Sequence, residues 1–162
     1  MDRHRMIDPV KLVLSIIICQ LAGFIGSLFT RPAIPMWYAI LNRPSFTPPS
    51  SLFTPVWTIL FLLMGISLFL IWRRGEPARQ IKIAILFFSI QLVLNILWSF
   101  LFFGLKSPFA GLIEIVILWI AISLTIVSFY RISKTAALLL VPYILWVSFA
   151  IVLNFYFWRL NI

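Results

Sequence analysis

The stretch Met36–Trp57, MWYAILNRPSFTPPSSLFTPVW, connects two runs of almost pure hydrocarbon side chains, one over 10–29 and the other over 52–72. It holds Pro44, Pro48, Pro49 and Pro55, the aromatic residues Trp37, Tyr38, Phe46, Phe53 and Trp57, and Arg43, with no acid. Proline fixes φ, removes a backbone donor and biases the residue before it toward extended backbone. Arg43-Pro44 and Thr47-Pro48-Pro49 therefore make a stiff, non-helical strap. Such a strap loses little entropy on closing. Between two apolar runs long enough to cross a bilayer, it reads as a lid, expected over 30–51, folded onto one mouth of a helix bundle. The competing reading is an ordinary loop of the aromatic belt at the membrane surface.

The composition agrees with a membrane chain. Of the 162 residues 63% are hydrophobic and 10% charged, with a mean hydropathy of +1.11, whereas a soluble domain is about a quarter charged. Five runs, 10–29, 52–72, 81–104, 109–130 and 135–160, each reach the roughly 20 residues that an apolar helix needs to cross a hydrocarbon core of about 30 Å. The expected fold is an all-α integral membrane protein, a bundle of five transmembrane helices forming a single domain over 1–162. Thr54-Pro55 and Ser107-Pro108 read as N-caps followed by proline at the first helical position, and Gly75 and Gly104 as stops. The first run is too long for a signal peptide and ends in Phe29-Thr30-Arg31-Pro32 rather than at a small-residue cleavage site, so it reads as a retained span.

The net charge of +9 does not point to nucleic acid, because the basic residues punctuate the oily runs instead of gathering on one water-facing surface. They act as topology signals. Arg3, Arg5, Lys11, Arg73, Arg74, Arg79, Lys82, Arg131 and Lys134 lie on the side of the N-terminus; Arg31, Arg43, Lys106 and Arg159 lie across the membrane. The positive-inside rule then places the N-terminus in the cytoplasm and the C-terminus and the 30–51 connector outside. One cysteine, Cys19, and one histidine, His4, leave no expectation of a disulfide or a metal site. Ala22-x-x-x-Gly26 and Gly23-x-x-x-Ser27 let helix backbones approach closely, either within the bundle or at a homodimer seam.

Tryptophan usually sits at the membrane interfaces, as Trp72 and Trp158 do. Trp98, Trp119 and Trp146 lie many residues from the ends of their spans, and a buried indole N–H needs an acceptor, so these rings are expected to look inward. Gln91, Asn95, Trp98 and Ser99 share one face of the third helix, and Tyr143, Trp146, Ala150 and Asn154 share one of the fifth. Glu114 is the one acid inside a span. The third and fifth helices run outward and the fourth inward, so Asn95, Trp98, Glu114, Ala150, Asn154 and Trp57 all fall in the outer half of the bilayer, beneath the connector. Polar residues at such depth serve as interhelical glue, line a cavity, or mark a proton path. Several tryptophans in the same layer favour a cavity for a flat, largely apolar ligand, with a few polar groups setting its orientation. Arg31 and Arg43, with Lys106 near, place positive charge at its mouth, where carboxylates are welcome. Pro142 interrupts the fifth helix and is expected to kink it beside Trp146 and Ala150.

These residues carry a resemblance. WYAILNRPSFTPPSSLFTPVWTILFLLMG (37–65), QLVLNILWSFLFF (91–103) and LLLVPYILWVSFAIVLNFYFWRLN (138–161) resemble, in order, the hallmarks of the translocator protein family, also called tryptophan-rich sensory proteins or peripheral-type benzodiazepine receptors. The resemblance implies a five-helix bundle that binds tetrapyrroles such as protoporphyrin and haem, sterols in mitochondrial members, and synthetic isoquinoline and benzodiazepine-type drugs. It puts family pocket positions on Tyr38, Pro48, Pro49, Trp57, Asn95, Trp98, Trp146 and Ala150. The family's sterol pattern departs here: the mitochondrial tyrosine aligns with Phe155, while the loose pattern is met both by Leu153, Tyr156 and Arg159 and, at the opposite face, by Val127, Tyr130 and Lys134. A short basic C-terminus without the tail of animal members implies a bacterial inner-membrane protein.

The expected function is binding or transport of a tetrapyrrole, which enters as ligand and not as an obligatory cofactor, with membrane lipid as the surrounding partner. No nucleophile–base pair, metal set or phosphate loop is present, and no catalytic residue is expected. The alternatives are a porphyrin-degrading photochemical enzyme that uses pocket tryptophans, as proposed for some family members, and a membrane stress sensor reporting to a partner protein.

Overall fold

The computed structural model describes residues 3–75 and 77–162, with side chains from Asp8 onward; the side chains of Arg3, His4 and Arg5 lie outside these. Every regular element among the described residues is helical, and five helical stretches are long and apolar enough to cross a membrane: Asp8–Met36, Ser50–Trp72, Ala78–Gly104, Pro108–Tyr130 and Lys134–Leu160. The chain is an integral, multi-pass membrane protein. Here the outer half is the half beneath the connector.

Helix α1 (Arg3–Met36) does not stop at Phe29; it runs on through Pro32 and Pro35. Each proline removes one helical donor. The hydroxyls of Ser27 and Thr30 donate back to the carbonyls of Phe24 (2.6 Å) and Gly26 (3.2 Å) in the turns before them. The non-helical connector is correspondingly shorter than 30–51. It begins at Trp37, makes a 3₁₀ turn over Tyr38–Ile40, turns again at Ser45-Phe46, where the Thr47 N–H donates to the Pro44 carbonyl at 3.2 Å, and re-enters helix through a second 3₁₀ turn, Ser50–Leu52. Helix α2 (Phe53–Trp72) therefore begins before Thr54, which caps nothing. Pro55 lies inside its first turn, where the N–H groups have no helical partner in any case.

Helix α3 (Ala78–Ser99) continues into a π-helical turn, Phe100–Gly104, closed by a 2.8 Å bond from the Leu105 N–H to the Phe100 carbonyl. Helix α4 (Pro108–Tyr130) is capped as its sequence implies, with the Ala110 N–H donating to the Ser107 hydroxyl at 3.2 Å. The fifth span is broken: α5 (Lys134–Leu139) ends at Leu140, and α6 (Val141–Leu160) starts with Pro142 in its first turn.

The inner half is packed solid. Phe88 of α3 stacks on Phe129 of α4 with centroids 5.8 Å apart, and Met64, Ile71, Ile122 and Leu140 fill the layers around them. A Cβ on Gly65 of α2 would lie 2.7 Å from the Ile16 Cα of α1, so only glycine allows those backbones so close. The small residues of the first span serve the bundle too: Gly23 faces the Phe61 ring and Gly26 faces Ser99. The Ser67 hydroxyl ties α2 to α5 through the Ala136 carbonyl at 2.7 Å. Helix α1 packs on α2 and α3, α3 on α4, and α4 on α6, while α2 closes the ring on α5 but makes little contact with α6. The break at Leu140 thus lets the outer half of the fifth span part from α2. A hollow is left between them.

Candidate ligand-binding site

The hollow is a cavity of about 320 Å³ in the outer half, walled by α1, α2, α3 with its π-turn, and α6, and closed above by Tyr38 of the connector. Three indoles from three helices line it: Trp57 of α2, Trp98 of α3 and Trp146 of α6. Trp98 is held most firmly. Its N–H donates to the Asn154 Oδ1 at 3.0 Å, and its ring stacks on Phe102 at 5.1 Å. The Asn154 amide in turn donates to the Pro108 carbonyl at 2.7 Å, so one asparagine locks α3, α4 and α6 together. One layer deeper, the Asn95 amide donates to the Tyr143 hydroxyl (2.7 Å), which donates to the Gln91 Oε1 (2.8 Å). Asn95, Trp98 and Asn154 serve as glue and cavity wall at once, with Tyr143 and Gln91 behind them. On the side of α1 and α2 the wall is polar, with the Gln20 amide donating to the Thr58 carbonyl at 3.0 Å, and there the exposed side chains of Phe24, Thr54 and Thr58 bring the cavity to the protein surface.

The connector is sealed by aromatic packing. Tyr38 is 2% exposed and packs on Phe53, Phe103 and Phe157, while Phe46 lies against Phe149 and Tyr156. Burial raises the Tyr38 phenol above its ordinary pKa, and Arg43 pulls the other way. The connector is also tied to the chain's last turn. Asn161 accepts from the Asn42 N–H (2.9 Å) and donates to the Asn42 carbonyl (2.8 Å), and the Asn42 amide donates to the Leu160 carbonyl (3.3 Å).

Of the residues expected at the site, Tyr38, Trp57, Asn95, Trp98, Trp146, Ala150, Asn154 and Arg31 line the cavity. Pro48 and Pro49 do not; they shape the strap that carries Phe46. Arg43 does not either, because its guanidinium lies 5.2 Å from the Tyr38 ring centroid and donates to the Tyr38 and Ala39 carbonyls (3.2 and 3.3 Å). Lys106 borders a separate groove beside Pro32 and Met36. Gln91 and Glu114 are buried behind the wall, and both Glu114 oxygens lack a hydrogen-bond partner. Trp119 does not look inward: it is 38% exposed on the outer surface of α4, and its N–H is satisfied by the Ser148 hydroxyl of α6 at 2.9 Å. Sequence reasoning passed over Phe102, Phe103 and Phe157, which form the aromatic end of the cavity. Nothing in the residue type distinguishes them from lipid-facing phenylalanines.

The model of the TspO/MBR family matches residues 15–159. The chain belongs to that family. It is 49% identical over 152 residues to the tryptophan-rich protein TspO of Chlorobaculum tepidum, covering 94% of this chain and 96% of that protein. An archaeal TspO, from Archaeoglobus fulgidus, is likewise 49% identical over 152 residues, covering 94% and 97%. The human translocator protein is 34% identical over 143 residues, covering 88% and 85%. The TspO/MBR match takes in the entire cavity wall, the connector and the Pro142 break, since all of them lie between residues 15 and 159; of the Asn42–Asn161 tie, only Asn42 falls inside it.

Proposed function

We propose that this protein binds flat, largely apolar small molecules, tetrapyrroles such as protoporphyrin and haem foremost, in the outer-half cavity, and moves them between the membrane and its outer face. The observation that supports this reading is the convergence of Trp57, Trp98 and Trp146 on one hollow beneath a stiff cap. Large rigid rings supply stacking surface at low entropic cost, and Asn95 and Asn154 supply fixed polar points for orientation. The volume of about 320 Å³ is near the lower end of the range of about 300–1,000 Å³ for ligand pockets, so a whole macrocycle extends through the opening beside Phe24 and Thr54. Arg31 lines the cavity while staying exposed, and it is placed to meet a propionate there. Arg43 is committed to the connector.

The charge asymmetry supports an inner-membrane placement with the N-terminus in the cytoplasm and the cavity facing outward. Tryptophan emission tests the binding reading: protoporphyrin at micromolar concentration quenches it in the wild type. Trp57→Ala or Trp146→Ala weakens binding roughly tenfold, corresponding to about 1.4 kcal/mol of lost stacking. Absence of quenching in the wild type contradicts the reading. A light-driven loss of porphyrin absorbance that disappears in Trp57→Phe moves the protein to the enzymes.

A further inference from the structure

A groove of about 310 Å³ lies on the outside of the bundle, between the last turns of α1 and the π-turn that ends the third span. Leu28, Pro32 and Met36 line it from α1, Phe103 and Gly104 from the π-turn, and Lys106 is its one charged lining residue. Phe103 lines the cavity as well, so its ring parts the two spaces and the groove is a separate site. Gly104 lets the π-turn lie close on α1, since a Cβ there would come within 3.3 Å of the Phe29 ring. Leu28 and Met36 are exposed on this lipid-facing side. From Met36 to Leu28 the wall descends about 12 Å at 1.5 Å per residue, from the end of the first span into the hydrocarbon layer.

Lys106 is the only non-glycine residue with positive φ among the described residues, at φ 55°. The Leu105 N–H donates to the Phe100 carbonyl (2.8 Å) and the Ser107 N–H to the Leu101 carbonyl (3.2 Å), and the chain turns left-handed at Lys106 between them. Glycine takes such a place at a helix end without steric cost, yet here a lysine stands in it with its side chain exposed. Among the described residues the acids are Asp8, at the far end of α1, and Glu114, buried within α4, so no carboxylate of theirs neutralises the ammonium. We propose that the groove binds an anionic phospholipid of the outer leaflet, with its phosphate at Lys106 and one acyl chain along Leu28, Pro32 and Met36. An unopposed cation at headgroup depth favours a headgroup of net negative charge. A zwitterionic headgroup brings its own cation, which competes for the phosphate. The apolar wall below Lys106 covers a chain and offers nothing to a water-soluble anion. This site does not depend on what the cavity binds.

Native mass spectra of the full-length protein, released from micelles holding equal phosphatidylglycerol and phosphatidylcholine, test the site. The wild type is expected to retain phosphatidylglycerol in preference to phosphatidylcholine. Lys106→Gly removes the cation and relieves the left-handed backbone, so its thermal midpoint is kept or raised while the preference falls about fivefold, the effect of losing one cation beside anionic lipid. Lys106→Gln, which removes the charge alone, is expected to lose the preference equally, and Lys106→Arg to keep it. Arg159→Gln, which removes an outer cation away from the groove, is expected to change nothing. Retention of phosphatidylglycerol at the wild-type level in Lys106→Gly and Lys106→Gln overturns the site, as does an equal loss in Arg159→Gln, which makes the preference one of overall charge. Displacement of the lipid by soluble glycerol phosphate overturns the role of the groove. A lipid-free dimer in place of the lipid-bound chain shows that a second copy covers the groove and overturns the proposal.

Discussion

At the scale of single residues, the site is made by side chains that do two things at once. Asn154 accepts the Trp98 N–H and donates to the Pro108 carbonyl, so it both orients an indole at the cavity and holds three helices in register. Trp98→Phe keeps the stacking on Phe102 but leaves the Asn154 Oδ1 without its donor. The expected cost is about 1–3 kcal/mol, the usual penalty for a buried group left unpaired, seen as a lower thermal midpoint and a weaker porphyrin titration. An unchanged midpoint shows that the bond carries no weight. The polar members of this set were legible in the sequence because an asparagine or glutamine inside an oily run is costly anywhere except among protein groups. The direction of Trp119 was not. Its N–H finds the Ser148 hydroxyl at the surface of α4 and α6, and the lone hydroxyl that satisfies an outward-facing indole lies in another helix, 29 residues away.

At the scale of elements, the five spans were readable from length and hydropathy, and Ser107 from its place before Pro108. The second span was read to within a residue of α2, though Thr54 does not cap it, and the end of the first span was not legible. Proline ahead of a loop reads as a stop, yet α1 continues through Pro32 and Pro35 to Met36, giving up the helical donors at those two positions. The consequence is that Arg31 rides on a helix at the cavity and not on a loose strap. Pro142 was read as a kink that widens the bundle beside Trp146 and Ala150, and in the structure the fifth span breaks at Leu140, with little contact left between α6 and α2. Pro142→Ala restores a helical donor and favours one continuous fifth helix. The expected outcome is porphyrin affinity about tenfold weaker, as the cavity narrows, with the thermal midpoint maintained or raised. Full affinity in that variant means the break is not what holds the cavity open.

At the scale of the whole molecule, the inner and outer halves are built for different ends. The inner half is dense, with Gly65 against Ile16 and Phe88 on Phe129, and it anchors the helices. The outer half is hollow, lined with aromatic rings, and capped by a connector fastened to the last turn of the chain through Asn42 and Asn161, 119 residues apart. That fastening has no signature in the sequence, where Asn161 is one polar residue after an apolar run. The account as a whole depends on a planar guest occupying the hollow half. A structure of the protein with protoporphyrin bound in lipid tests this most directly. The account predicts density for the macrocycle among Trp57, Trp98 and Trp146, with a propionate at Arg31 and an edge emerging beside Thr54. Density confined to the lipid-facing surface, with the cavity closed or empty, contradicts it.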